Sequence, residues 1–274
     1  MSFGAAMRSH PVVDRLIEVV NQNQWPNAHR MVDRSRKAYE YGLDQVNTYH
    51  GDPAIFFKAL QTFADTKSCV YAYAGIAFAL AVATAVTGDG VYDIGFEEAL
   101  KWLEKAQEWE PNLVEINFIE AVVYLNWGQL ENGRLILDHL AQYNPKNYYL
   151  CLTEMNYWSQ KKDHDNYFNW LRTASKSANN PLRQAYTLNA LANLYLNQGQ
   201  YEKSIEIFAD VVKFTPDDAW AWHNMSFMFL NLKKVKEAAM CNQRALEIMD
   251  FPAARDIQEK IKQNKGGLGR LFRK

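Results

Sequence analysis

The side chains that could bind a metal ion or act as a nucleophile are few and widely spaced. Six histidines occur, and none stands three or four residues from another, the spacing that places two ligands on one helix face. The cysteines Cys69, Cys151 and Cys241 form no C-x-x-C pair, so neither a disulfide framework nor a zinc module is indicated. We expect Cys151 and Cys241 to be buried as small apolar residues.

Three short features resemble parts of a reactive site, and each is incomplete. Asp163-His164-Asp165 offers metal ligands, but we interpret this segment as a solvated turn. Gly88-Asp89-Gly90 begins like a phosphate or calcium loop, yet it lacks the GK[ST] of a P-loop and the alternating acids of an EF-hand. Glu120 comes nearest to an isolated carboxylate in apolar surroundings, and we interpret it as a rim carboxylate paired with a neighbouring unit. The sequence therefore predicts no metal, no cofactor and no enzyme.

Composition places the chain among folded proteins. Its 274 residues are 48% apolar and 14% aromatic, which is enough to fill a core, and the low glycine and proline content favours helices. The net charge is −1, but residues 260–274 contain six basic residues and no acid, so residues 1–259 carry −7. An acidic body disfavours nucleic acid as a partner, because phosphate contacts need a basic surface.

Two segments of the sequence indicate where in the cell the protein is located. The first residues, MSFGAAMRSHP, contain no apolar stretch of a secretory signal, so we expect a cytoplasmic protein. Cys69–Val86 is an uncharged run at the lower length limit for a membrane span. Because it consists mostly of alanine, with Tyr71, Tyr73 and Thr84, we predict a buried helix and keep a membrane helix as the alternative.

Small and large apolar residues recur with a period of 34 in the second half of the chain. In Ala185–Asp218 the recurring set is Leu188, Leu191, Ala192, Tyr195, Gly199, Tyr201, Ser204, Phe208, Val211 and Pro216. In Ala219–Pro252 the set is Trp222, Met225, Ser226, Phe229, Ala238, Ala245 and Leu246. The small residues predict two helices that cross closely, and the large ones fill the space between them.

This period and its order of residues resemble the tetratricopeptide repeat (TPR), a helix–turn–helix unit with the pattern W-x2-L-G-x2-Y…A-x3-F…P. The resemblance implies an all-α, right-handed helical solenoid. Val114–Asn147 fits a further unit, in which Glu120 replaces the core leucine and Gly133 replaces alanine at a cost in helix propensity. With two degenerate units, about five repeats are predicted, near 68–113, 114–147, 148–184, 185–218 and 219–252.

The degenerate units carry extra residues. In the unit 68–113 we place them in a longer first helix and in a loop at Thr87–Gly95. In the unit 148–184 we place the surplus in the turn Lys161–Asp165.

Helical caps are predicted at both ends. We interpret residues 1–67 as an N-terminal cap or degenerate repeat, with helices over Pro11–Asn21 and Asn27–Thr48 and a third that begins at Asp52-Pro53. Residues 253–264 are predicted to form a capping helix that uses Ile257 and Ile261. Because Gly266, Gly267 and Gly269 disfavour a helix, we expect residues 265–274 to be a flexible basic tail.

In TPR domains the first helix of each repeat lines the binding groove, so the resemblance implies partner-binding positions. In the last two repeats they are Tyr186, Asn189, Asn193, Trp220, His223, Asn224 and Phe227. The earlier unit offers Glu115, Phe118, Val122 and Asn126. Asn193 and Asn224 match asparagines that grip a ligand backbone in the family, whereas Asn189 stands where a carboxylate-clamp lysine would be. Ordinary solvated helix residues are the open alternative.

These features predict a non-catalytic adaptor, scaffold or chaperone-like protein that holds a segment of another protein in its groove. The alternative is a membrane-associated assembly factor that uses the basic tail or the helix 69–86. A catalytic pocket would have to lie in residues 1–67, which match no motif. The sequence leaves the identity of the partner and the oligomeric state open.

Overall fold

The computed structural model describes residues 10–49, 51–87 and 93–271, with side chains up to residue 263, so Gly88-Asp89-Gly90 lies outside the described residues. All regular structure in these ranges is α-helical, as predicted. The helices are α1 (Pro11–Gln22), α2 (Asp33–Asn47), α3 (Ala54–Ala64), α4 (Cys69–Thr87), α5 (Asp93–Gln107), α6 (Val114–Asn126), α7 (Leu130–Leu140), α8 (Tyr148–Gln160), α9 (His164–Ser177), α10 (Pro181–Asn197), α11 (Tyr201–Phe214), α12 (Ala219–Asn231), α13 (Val235–Ile248) and α14 (Pro252–Leu271).

The chain divides into two compact units, Met1–Ser177 and Ala178–Lys274. In the first unit α4 packs on α5, α6 on α7 and α8 on α9; in the second α10 packs on α11 and α12 on α13. Four of these pairs are joined by three-residue turns. The middle residue of each turn has a positive φ, and these residues are Gly128, Lys162, Gly199 and Lys233.

Close helix crossing in the second unit depends on pairs of small residues. The Ser204 hydroxyl on α11 donates to the carbonyl of Ala192 on α10, 2.7 Å away. In the next pair the roles are exchanged, and the Ser226 hydroxyl on α12 donates to the carbonyl of Ala238 on α13, also at 2.7 Å. All four residues are completely buried. A larger side chain at any of these positions would push the two helices apart.

Helix α4 forms the core of the first unit. It is long and apolar enough to span a membrane, but 78% of its most apolar stretch is buried within the fold, as in the core helix of a globular protein. Helices α1, α2, α3, α5 and α6 all pack on it. The Phe63 ring on α3 lies against Gly42 of α2 and Gly75 of α4, where a Cβ on either glycine would overlap the ring.

The predicted helix Asn27–Thr48 is too long at its N-terminal end, because α2 begins at Asp33. Tertiary contacts hold the preceding segment in an extended form. The Cys69 amide donates to the Ala28 carbonyl at 3.0 Å, and the His29 ring stacks on Trp109 with its Nε2 2.8 Å from Glu110. By contrast α1 and the start of α3 lie where the sequence predicts them, and the Asp52 carboxylate accepts a hydrogen bond from the Ala54 amide.

The surplus in the unit 148–184 is not in its turn. The turn between α8 and α9 has three residues, like the others, and the additional residues lie in residues 178–180 and in α10. Helix α10 has 17 residues, whereas α6, α8 and α12 have 13 each. Asn180 caps α10 by accepting from the Arg183 amide at 2.9 Å, and Pro181 suits the first helical turn. The predicted loop Thr87–Gly95 is also shorter, because α4 includes Thr87 and α5 begins at Asp93.

Helix α14 extends further than predicted. It continues through Gly266, Gly267 and Gly269 to Leu271, so the glycines do not end it, and the predicted flexible tail is helical up to that residue. Residues 272–274 lie outside the described part. The predicted capping contacts are present, because Ile257 and Ile261 are buried against Ala238, Phe229 and Val235.

Candidate partner-binding site

Helix α2 covers the groove-facing positions of the first unit. The Tyr39 ring stacks on Tyr71 of α4 with 4.9 Å between centroids, and its hydroxyl donates to the Glu115 carbonyl of α6 at 2.9 Å. On α8 the Tyr149 hydroxyl lies 2.8 Å from a carboxylate oxygen of Asp44 and donates to the carbonyl of Glu40. Helix α2 therefore contacts the first helix of all three pairs.

Three of the four groove positions proposed in this unit are therefore buried or hydrogen-bonded within it. Phe118 and Val122 are buried, and the Asn126 side chain accepts from Asn156 of α8 at 2.8 Å. Sequence reasoning missed this because the motif describes each repeat alone and says nothing of an element lying across several repeats.

In the second unit the predicted positions form two parallel stripes. On α10, Tyr186, Asn189 and Asn193 follow at intervals of three and four residues. On α12 the adjacent residues His223 and Asn224 stand three or four residues from both Trp220 and Phe227. This spacing places each set on one helix face.

The three asparagines are joined in a chain of hydrogen bonds between the two helices. Asn193 Nδ2 donates to Asn189 Oδ1 at 2.6 Å, and Asn224 Nδ2 donates to Asn193 Oδ1 at 3.3 Å. Asn189 Nδ2 in turn donates to Asp218 Oδ2 at 3.2 Å. Each amide has two N–H donors and a carbonyl with two lone pairs, so every asparagine retains hydrogen-bonding capacity beyond this chain. The chain orients the amides without exhausting them.

An aromatic cluster lies at one end of this asparagine chain. The Trp220 ring packs on Phe251 with 4.5 Å between centroids, and His223 contacts both rings. Trp220 nevertheless remains 38% exposed. The Nδ1 atom of His223 is buried without a hydrogen-bond partner, and burial lowers the pKa of this imidazole below its usual value. His223 is therefore neutral at pH 7.

The remaining two predicted residues, Phe227 and Tyr186, lie outside the asparagine chain and the aromatic cluster. The Phe227 ring is 36% exposed and meets Tyr201 of α11 edge to face, with 6.3 Å between centroids. Tyr186 lies one turn before Asn189 on the same stripe, outside the asparagine chain and the aromatic cluster, and burial raises the pKa of its phenol. The structure thus brings Asn189, Asn193 and Asn224 together, with exposed aromatic rings of α12 on either side.

Two supporting residues were not among the predicted positions. Asp218 is buried at the start of α12, where its Oδ1 accepts from the Ala221 amide and its Oδ2 from Asn189. An aspartate just before a helix is a recognisable cap signal. Phe251 supports Trp220 and His223 from the segment between α13 and α14, and no repeat pattern singles it out.

The Asp163 turn and the three cysteines have structural roles. Asp163 caps α9 by accepting from the Asn166 amide, which lowers the pKa of the carboxyl group. All three cysteines are buried, and burial raises the pKa of Cys151 to about 12 and that of Cys241 to about 11. Glu120 accepts a long, 3.5 Å contact from Gln107 of the preceding helix pair. Among the described residues no group of three or more His, Cys, Asp or Glu side chains could hold a metal ion.

Comparisons with known proteins identify the repeat and the fold. Residues 185–218 match the family model of the tetratricopeptide repeat. The fold is similar to PilF of Pseudomonas aeruginosa, with a TM-score of 0.55 and 14% identity over 74% of this chain and 92% of that one. It is also similar to yeast Tom70, with a TM-score of 0.56 and 11% identity over 94% of this chain and 58% of that one. No curated protein matches.

At such identities the solved structures establish the fold, and the family model establishes the repeat. Both agree with the helix pairs and their recurring turns. The chain therefore contains a tetratricopeptide repeat at residues 185–218, and its all-α fold is of the TPR solenoid class.

Proposed function

We propose that this chain is a non-catalytic adaptor or scaffold that holds an extended or helical segment of a partner protein on the α10–α12 face. TPR proteins in general are interaction modules without catalytic activity, and the fold is of this class. The observation that carries the proposal is the asparagine chain between two helices, with exposed Trp220 and Phe227 on either side.

The chemistry of this face suits a peptide backbone. An asparagine amide both donates and accepts, so it can pair with a peptide unit regardless of the partner's side chains. Exposed aromatic rings offer large contact area at low entropic cost, and such residues dominate the binding energy of many interfaces. His223 is neutral at pH 7, and no lysine stands at the carboxylate-clamp position held by Asn189, so we propose that a terminal carboxylate is not required.

The test is affinity capture from native lysate with the wild-type chain and with Asn224→Ala, Phe227→Ala and Trp220→Ala as baits, read by quantitative mass spectrometry. We expect each variant to weaken the capture of one common partner set by about 1–3 kcal/mol of binding free energy. Met240→Ala is the matched control, because Met240 is a 73% exposed apolar residue on α13, outside this face. Circular dichroism of every bait establishes that the fold is intact.

Two results would contradict the proposal: unchanged capture with Asn224→Ala and Phe227→Ala, or equal loss with Met240→Ala. Trp222→Ala provides the contrast. Trp222 packs between two apolar clusters, and its Nε1 donates to the Pro216 carbonyl at 3.0 Å. Its removal is expected to lower the free energy of unfolding by roughly 3 kcal/mol.

The alternative, a membrane-associated factor, is based on two features. The first, the apolar helix α4, is largely buried by its neighbouring helices. The basic segment 265–274 is the second. Cell fractionation with and without this segment separates a cytoplasmic adaptor, which we propose, from a membrane-associated factor. Three free, buried cysteines are consistent with the reducing environment of the cytoplasm.

A further inference from the structure

A second groove lies in the first unit, between the C-terminal end of α5, helix α6 and helix α7. Its volume is about 580 Å³. Gln107, Asn117, Glu120 and His139 contribute polar groups to its lining, and Leu135 and Tyr143 contribute apolar surface. None of these residues belongs to the α10–α12 face, so the second groove is independent of the function proposed above.

Glu120 stands at a position of the repeat that is apolar in the last two repeats. The corresponding residues of the last two repeats are Leu191 and Met225, and Met225 is buried between helices. A carboxylate at this position cannot fill the space that such a side chain fills. This repeat is therefore open at a position where Met225 is packed in the last repeat.

The Glu120 carboxylate has no cationic partner in the described part of the chain. Its contact there is the 3.5 Å approach of Gln107 Nε2, at the upper limit for a hydrogen bond. Gln107 makes a shorter bond of 2.9 Å to Asn117 Oδ1, and Asn117 Nδ2 donates to the Pro111 carbonyl at 2.8 Å. The two amides are thus held by each other and by the backbone, and a half-buried carboxylate remains available to a donor.

The surroundings of Glu120 favour a positively charged ligand. Seven carboxylates and two cationic side chains occur in residues 104–143. Of the two cations, Arg134 is paired with Glu154 and Asp138, and Lys105 lies over the Trp102 ring. A cationic partner would meet an attractive field on approach and an unpaired carboxylate on contact.

The apolar lining of the groove indicates which kind of side chain should stand beside the basic residue of the ligand. Leu135 is 70% exposed and Tyr143 is 66% exposed, and the Tyr143 ring meets His139 edge to face with 5.2 Å between centroids. Large apolar residues this exposed beside a groove are typical of a contact surface.

We propose that this groove is a second docking site, which binds a peptide segment of a partner protein carrying an arginine or lysine beside an aliphatic or aromatic residue. The cation pairs with Glu120, and the apolar side chain packs on Leu135 and Tyr143.

The probe is a library of random dodecapeptides displayed on phage, selected on the purified full chain and counter-selected on Glu120→Leu. We expect enriched peptides to share a basic residue next to an apolar one. Fluorescence anisotropy of the best labelled peptide should show at least about thirtyfold weaker binding to Glu120→Gln and to Glu120→Leu, because each variant leaves the peptide's cation unpaired. Glu120→Leu should also melt at a higher temperature than wild type, because it restores the apolar residue of the repeat; this shows that lost binding is not lost folding.

Two controls distinguish this site from general charge attraction and from the α10–α12 face. Glu131→Gln removes the same charge from an 82% exposed position on α7, and Trp220→Ala alters the other face; both should change peptide affinity less than about twofold. The proposal is overturned by enriched peptides without a basic residue, by binding that survives Glu120→Gln, or by equal loss in either control. It is also overturned if sedimentation shows a dimer that Glu120→Leu dissociates, since the occupant would then be a second copy.

Discussion

Asp218 links the folding of α12 to the geometry of the candidate site. One carboxylate oxygen caps the helix through the Ala221 amide at 2.9 Å, and the other accepts from Asn189 at 3.2 Å. Because the side chain is buried, water cannot replace either bond when the carboxylate is removed. The first link of the asparagine chain therefore depends on a residue whose more obvious role is helix capping.

Replacing Asp218 should separate the two roles. Asp218→Ala is expected to lower the free energy of unfolding by about 1–3 kcal/mol, because it removes a cap and leaves a buried donor unpaired. Asp218→Asn should cost clearly less, since asparagine also caps helices and can accept from Asn189. Urea denaturation of the two variants measures the difference. Equal losses would show that the carboxylate charge, rather than the two hydrogen bonds, is what α12 requires.

His223 should make stability depend on pH. Its folded-state pKa is lowered by burial, so the unfolded chain binds a proton more readily than the folded chain does. The free energy of unfolding should then decrease as the pH falls below the ordinary histidine pKa of about 6.5, and this contribution should be constant above it. We expect the fall in melting temperature between pH 7.5 and pH 5.5 to be smaller in His223→Gln than in wild type. His164→Gln, an exposed histidine, should behave like wild type, and a wild-type response in His223→Gln would contradict the prediction.

At the residue scale the sequence predicts positions better than contacts. The intervals of three and four residues alone place Trp220, His223, Asn224 and Phe227 on one helix face. The hydrogen bonds among the asparagines depend on how α10 and α12 pack, and Phe251 depends on the path of the chain after α13. These contacts are long-range, and a period of 34 carries no information about them. That the seven predicted residues of α10 and α12 bind a partner remains a prediction.

At the scale of the elements, the turns within the repeats reveal a strained residue. Gly199 and Lys233 occupy equivalent turns with φ values of 71° and 60°. Glycine adopts this conformation freely, whereas a residue with a Cβ pays roughly 1–2 kcal/mol for it. Lys233 is exposed, so no packing depends on its side chain.

Lys233→Gly is expected to raise the free energy of unfolding by up to about 1 kcal/mol, after allowing for the greater freedom of glycine in the unfolded chain. Gly199→Ala should lower it by about 1 kcal/mol for the reverse reason. Gln243→Gly, at an exposed position in the middle of α13, is the control and should be destabilising, because glycine weakens a helix interior. Thermal unfolding of the three variants measures whether each change stabilises or destabilises the protein. A destabilising Lys233→Gly would show that the left-handed turn is not strained.

Helix boundaries were predictable where local signals decide them and not where tertiary contacts do. Asp52-Pro53 and Asp218 are cap signals, and the helices begin beside them. Residues 27–32 have a helical pattern, yet Ala28 and His29 are engaged by Cys69 and by the end of α5, which keeps them extended. Nor does any local pattern show that α2 lies across the first helices of three pairs.

At the scale of the whole molecule, the two units differ in which surfaces they leave open. In the first unit α2 covers positions that face the groove in a TPR protein, and a separate groove opens beside Glu120. In the second unit no helix among the described residues covers Trp220 and Phe227 to the same extent. If both proposals hold, the protein has two independent docking sites of different chemistry, a backbone-reading face and an acidic groove.

A repeat array also needs its last apolar face closed, and in this chain α14 closes it. Ile257 and Ile261 are about 95% buried against α12 and α13 residues that include Phe229 and Val235. Beyond Ile261 the helix contains three glycines, each of which weakens a helix interior by roughly 0.5–1 kcal/mol. The closing function should therefore reside in the part of α14 before residue 264.

Deleting residues 264–274 is expected to change the free energy of unfolding by less than about 1 kcal/mol, as is usual for changes away from the core. Ile261→Ala, by contrast, should lower it by about 2–4 kcal/mol, because it removes a buried side chain from the closing contact. Guanidinium denaturation followed by circular dichroism measures both, and Ile261→Val, which keeps most of the buried volume, should fall between wild type and Ile261→Ala. A deletion as costly as Ile261→Ala would mean that the glycine-containing end of α14 is itself part of the closure. The helix observed through Leu271 would then be held by packing on the body of the second unit.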